Sequence, residues 1–254
     1  MRVARLEERP LVSIDDRLAT ALKALPPKPG PDVPQAAKKR YSEQMSEVVA
    51  QAFAAELRER GMLSARPAPP GVLDQSGAER RMAGGLGAKK VDVSWATEEA
   101  GLIFAISVKS INFKDNRSNA FQKNLTNRRA DLLMEATTLH RRFPYAVVAA
   151  FFFLDKDAEH DGTARRNSTF DNAFPRFRLF SGRDDPAGRD EQFERLYFVL
   201  IDANPFSPSW RCFDVAKGQT EIPISEALDQ LIEIAAERNF DDYEATGDGG
   251  IRKL

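Results

Sequence analysis

The run Tyr145-Ala-Val-Val-Ala-Ala-Phe-Phe-Phe-Leu154 constrains this chain more than any other feature. It falls short of the roughly 18–20 apolar residues that cross a bilayer, and it lacks the alternation of a strand with one wet face. A segment of this length and composition reads as a central strand covered on both faces. Such a strand needs helices on both sides of its sheet, which makes the chain an α/β protein with a central mixed β-sheet flanked by helices.

The flanking pattern fits that architecture. Residues 13–25 read as a short helix with Ser13 as N-cap, followed by a stiff linker holding Pro26, Pro27, Pro29, Pro31 and Pro34. From Gln35 to Arg60 the apolar positions Met45, Val48, Val49, Ala52, Phe53 and Leu57 recur at three and four, and Gly61 closes this amphipathic helix. Lys89–Trp95 alternates Val91, Val93 and Trp95 against polar neighbours and reads as one strand. It reverses at Thr97-Glu-Glu-Ala-Gly into a second strand, Leu102–Lys109. A long helix is expected from Asn119 to Arg142, a buried strand at Leu196–Ile201, a closing helix at Ile224–Arg238, and polar loops at 155–166 and 182–190. The expected organisation is an N-terminal helix and Pro-rich linker (1–34), a core (35–154), and a C-terminal extension (155–254) that completes the sheet and offers a recognition or dimer surface.

Composition excludes several classes. With 42% hydrophobic and 30% charged residues, the chain is neither a disordered nor a collagen-like sequence. One cysteine, Cys212, rules out an internal disulfide and a cysteine zinc cluster, and the acids in Met1-Arg-Val-Ala-Arg-Leu-Glu-Glu do not suit a secretory signal. A cytoplasmic, non-membrane location is expected. With only two histidines, acid–base chemistry falls to carboxylates and lysines. His140, Trp95 and Trp210 read as structural, and His160 as a solvated loop residue. Gly84-Gly-Leu-Gly87 precedes a strand instead of joining strand to helix, so it is not a phosphate cradle.

Net charge is −1, yet Ser107–Arg142 carries Lys109, Lys114, Arg117, Lys123, Arg128, Arg129, Arg141 and Arg142 against Asp115, Asp131 and Glu135. A basic stretch on a near-neutral protein fits a polyanion partner. At its head, Asp92 in a half-buried strand and Lys109 at the end of an apolar one lie side by side if the two strands form a hairpin. A buried ion pair accounts for that spacing as well as a reaction centre does.

Val91-Asp92, Ser107-Val108-Lys109, the preceding helix bearing Glu43 and Glu47, and the following helix and apolar strand together resemble the PD-(D/E)xK nuclease superfamily. The resemblance covers roughly Gln35 to Leu154 and implies a restriction-endonuclease-like core. This sequence departs from the pattern twice: Val91 replaces the usual proline, and Ser107 replaces the usual acid of the (D/E)xK motif. The resemblance implies a metal-dependent endodeoxyribonuclease, in the first place a type II-like restriction endonuclease, using Mg2+ or another divalent cation such as Mn2+. Asp92 and the Val108 carbonyl would be ligands, and Lys109 would position or help deprotonate the attacking water and offset developing negative charge. Glu47 is the first choice for the missing acid, with Glu43 and Glu79 as alternatives and Glu135 as a further candidate. Asn112, Gln122, Lys123, Asn124, Asn127, Arg128 and Arg129 would face double-stranded DNA. A two-fold homodimer suits a palindromic site. The alternatives are a repair or phage-defence nuclease without a short recognition site and a catalytically decayed DNA-binding module.

Overall fold

In the computed structural model, residues 12–72 and 80–254 are described. A five-stranded mixed sheet runs β3 (Val93–Thr97), β4 (Gly101–Ile111), β5 (Val147–Asp155), β6 (Arg195–Asp202) and β7 (Ser209–Asp214), in that spatial order. The inner pairs β4–β5 and β5–β6 are parallel and the outer pairs antiparallel. The apolar run forms β5 at the centre, and its side chains divide by parity. Val147, Ala149, Phe151 and Phe153 enter one apolar cluster; Val148, Ala150, Phe152 and Leu154 enter the other. This is the covering of both faces that the run demands.

The first cluster is closed by α1 (Ile14–Lys23), α2 (Gln35–Glu59) and α5 (Ile224–Arg238). In α1 the Ser13 hydroxyl accepts from the Asp16 N–H while the Asp16 carboxylate accepts from the Ser13 N–H, a reciprocal cap. Gly61, at φ +100, ends α2 at a point where a Cβ would meet the Ile251 carbonyl. The second cluster is closed by α3 (Leu125–His140) and α4 (Thr169–Phe177). No helix among the described residues is long and apolar enough to cross a membrane.

Two expected elements change shape. The single strand at 89–95 is broken at Asp92: β2 (Gly87–Val91) pairs with β1 (Arg80–Gly84) in a separate hairpin, while β3 pairs with β4. The break has a physical cause, because the Asp92 carboxylate turns in to accept the Val108 N–H at 2.8 Å. The long helix starts at Leu125, not Asn119. Residues ahead of it are held in a loop by the Asn119 N–H on the Asp115 carbonyl and the Phe121 N–H on the buried Asp161 carboxylate. Besides β1, the sequence expectations lack α4, β7 and a terminal strand pair. Helix α4 is capped by Ser168, whose hydroxyl accepts from the Asp171 N–H, and Pro175 inside it masks its helical character in the sequence. A small pair, β8 (Tyr243–Ala245) and β9 (Ile251–Lys253), completes the chain.

Candidate active site

On β4, Ile106 and Val108 point into the cluster under α2 and α5. Ser107 and Lys109 point the other way, toward the face that α3 covers. The residue of α3 that meets them is Glu135. Its Oε2 accepts from the Ser107 hydroxyl at 3.1 Å and lies 3.0 Å from Lys109 Nζ. Lys109 Nζ also donates to Asp92 Oδ2 at 3.2 Å. One ammonium thus bridges two carboxylates that come from the β2–β3 bend and from α3. The expected juxtaposition of Asp92 and Lys109 is present, and an acid stands against Ser107.

That acid is not Glu47. The α2 helix lies over the opposite face of the sheet, so strand parity keeps its carboxylates from Ser107. Glu47 is exposed on the wall of the same cleft, and among the described residues no hydrogen bond or ion pair joins it to Asp92 or Lys109. Glu43 pairs with Lys39 at 3.7 Å on the exposed side of α2. Glu79 lies outside the described residues.

Burial of Lys109 would by itself lower its pKa, but the charges of Glu135 and then Asp92 outweigh that and hold it above the usual lysine range. Lys109 is therefore an ammonium at neutral pH. Glu135 is 1% exposed, and among the described residues its second oxygen, Oε1, is buried without a hydrogen-bond partner. An orphaned, desolvated carboxylate oxygen is costly and invites a cation. Asp92 and Glu135 offer oxygen donors only, the set that suits Mg2+ or Mn2+. Among the described residues no group of three or more His, Cys, Asp or Glu side chains forms a metal site. A two-carboxylate site suits Mg2+, which keeps several waters and asks for one or two protein carboxylates.

Asp92, Val108 and Lys109 lie on the floor of a cleft of about 1140 Å³. Its walls carry Lys38, Lys39, Lys89, Lys90 and Arg128, against Glu43, Glu47 and Asp131. Of the amides and cations expected to face DNA, the structure brings Asn112, Asn124 and Arg128 into this cleft. The others lie elsewhere or are engaged. Gln122 Oε1 accepts from Arg166 and Asn172 at 3.3 and 3.4 Å. Lys123 is bound to Asp115, whose carboxyl that lysine and the Ser118 N–H pull down to about 2. Arg129 stacks over the Phe180 ring at 5.9 Å, and Asn127 is exposed outside the cleft lining. Within the cleft, Asn112 is buried and donates to the Ser42 and Ser110 hydroxyls, tying α2 to the end of β4.

Sequence reasoning ranked Glu135 behind three other acids. The signal that singles it out is strand parity: Ser107 and Lys109 share a face, and α3 is the helix that follows β4 into the parallel crossover toward β5. No family model, curated protein or solved structure matches the chain.

Proposed function

We propose that this chain is a metal-dependent endodeoxyribonuclease, acting on double-stranded DNA in the manner of a type II-like restriction endonuclease. The observation that carries the reading is the Lys109 ammonium held between Asp92 and Glu135 on the floor of a cleft with basic walls. Glu135 supplies the acid that Ser107 does not, which removes the reason for regarding the site as decayed.

A divalent cation, when bound, supplies positive charge to the scissile phosphate and acidifies a water. Asp92 and Glu135 would hold that cation, and the Val108 N–H and the Ser107 hydroxyl fix the two carboxylates in place. Lys109, held between the two acids, would orient the attacking water or help deprotonate it, and would offset negative charge building on the phosphate. Arg128, Asn124 and the lysines of the cleft wall position the backbone of the duplex.

The test is incubation of the purified protein with unmethylated phage DNA, with and without Mg2+. Discrete fragments that require the metal are the expected result. A metal-dependent smear supports a repair or defence nuclease, and binding with no cutting under Mg2+ or Mn2+ overturns the nuclease reading in favour of a binding module.

A further inference from the structure

The Gly84–Gly87 turn, excluded as a phosphate cradle, has another use. A Cβ on Gly84 would stand 2.4 Å from Thr138 Cγ2, and one on Gly85 would stand 2.4 Å from Arg141 Cβ. The Gly85 N–H donates to the Thr138 carbonyl at 2.9 Å. Residues without side chains let the β1–β2 hairpin lie directly on the last turns of α3. That docking sets Lys89 of β2 over Glu135, with Nζ 3.7 Å from Oε2.

Glu135 is therefore met by two ammonium groups, while the two carboxylates and two lysines of the centre balance in charge without a metal. A divalent cation added to that set competes with the lysines for the carboxylate oxygens, and the lysine held less firmly is the one it displaces more easily. Lys109 is held by both acids at 3.0 and 3.2 Å and is 15% exposed. Lys89 is held by one acid at 3.7 Å and is 31% exposed. Lys89 loses less by leaving, and its flexible stem already lines the cleft in which the substrate would lie.

We propose that Lys89 is a second working lysine of this site. It is the counter-ion of Glu135 in the metal-free protein, is displaced when a divalent cation takes over that carboxylate, and then contacts a substrate phosphate. The proposal rests on the nuclease reading above.

Its test pairs two measurements on the full chain. Mn2+ is titrated without DNA and free ion is followed by electron paramagnetic resonance; cleavage is followed in single turnover at saturating Mg2+. Lys89→Met should tighten Mn2+ binding by about tenfold, because a competing charge is gone, and should slow cleavage by about tenfold or more. Lys89→Arg should restore the weaker Mn2+ affinity. A purely structural lysine would leave Mn2+ affinity unmoved. Either an unchanged affinity or an undiminished rate in Lys89→Met overturns the proposal. Asp92→Asn and Glu135→Gln separate this failure from that of the nuclease reading. If they bind Mn2+ as the wild type does and the wild type does not cut, the active-site reading fails; if binding depends on Glu135 but ignores Lys89, only the proposal about Lys89 fails.

Discussion

Glu135 carries its carboxylate almost wholly out of water, with one oxygen shared among Ser107, Lys109 and Lys89 and the other unpartnered among the described residues. A carboxylate kept in so costly a state is held there by the charge of the two lysines and the hydroxyl of Ser107. Under the nuclease reading, Glu135→Gln lowers cleavage beyond the about 10–100-fold typical of outer-shell partners of a metal, and raises the Mg2+ concentration required. Ser107→Ala, which removes a single hydrogen bond to that acid, falls within or below that range. Glu47→Gln leaves the Mg2+ dependence as it is. Single-turnover rates over a Mg2+ series, with circular dichroism as a check on folding, decide among the three; a severe Glu47→Gln defect with a silent Glu135→Gln would reverse the assignment. At this scale Asp92 and Lys109 were legible in the sequence, because a charged residue in an apolar strand stands out. Glu135 was not, since a glutamate on an amphipathic helix looks like any solvated acid until the packing face of that helix is known.

Elements explain which of the basic residues matter. Helix α3 presents Arg128 to the cleft, where it pairs loosely with Asp131 at 3.3 Å, while Arg129 points to the Phe180 ring instead. A single residue step, about 100° around the helix, separates a side chain that lines the cleft from one that lies over a ring. Arg128→Ala should therefore weaken DNA binding and flatten the plot of log affinity against log salt by about 0.9, the value for one lost phosphate contact on duplex DNA. Arg129→Ala should leave that slope unchanged, and equal slopes for both variants would mean that the cleft is not the DNA path. Helices α1, α2 and α5 and the strands β4, β5 and β6 were legible from periodicity and apolar runs. The hairpin β1–β2 was not, because Lys89–Trp95 alternates without a break and only the inward turn of Asp92 divides it. Helix α4 was hidden by Pro175, and β7 by its mixed polar composition.

Across the whole molecule, the layers are joined at the end of the sheet where β5 begins by one buried acid, Glu194. Its Oε1 accepts from Arg183 at 3.1 Å and from Arg238, near the end of α5, at 2.7 Å. Its Oε2 accepts from the Val148 N–H of β5 at 2.6 Å and faces His140, the last residue of α3, at 3.2 Å. Both helical layers, the central strand and the 183–194 connection thus close on a single carboxylate that is 0% exposed. Burial alone would raise its pKa, but the hydrogen bond and charge of His140, followed by Arg238, outweigh it and hold Glu194 below its ordinary value of 4.5. A carboxyl depressed in the folded state stabilises fully above its unfolded value, and that contribution is lost as pH falls through the lower folded value. Glu194→Gln leaves two buried guanidinium groups without their counter-charge and should cost about 3–5 kcal/mol at pH 7. Urea midpoints measured from pH 7 to pH 3 should show a constant gap between wild type and variant above pH 4.5. Below that the gap should narrow as the wild-type carboxyl takes up its proton. Taking the difference between the two proteins cancels the other acids of the chain, so a gap that stays constant down to pH 3 would mean that Glu194 is not the charge that closes the layers.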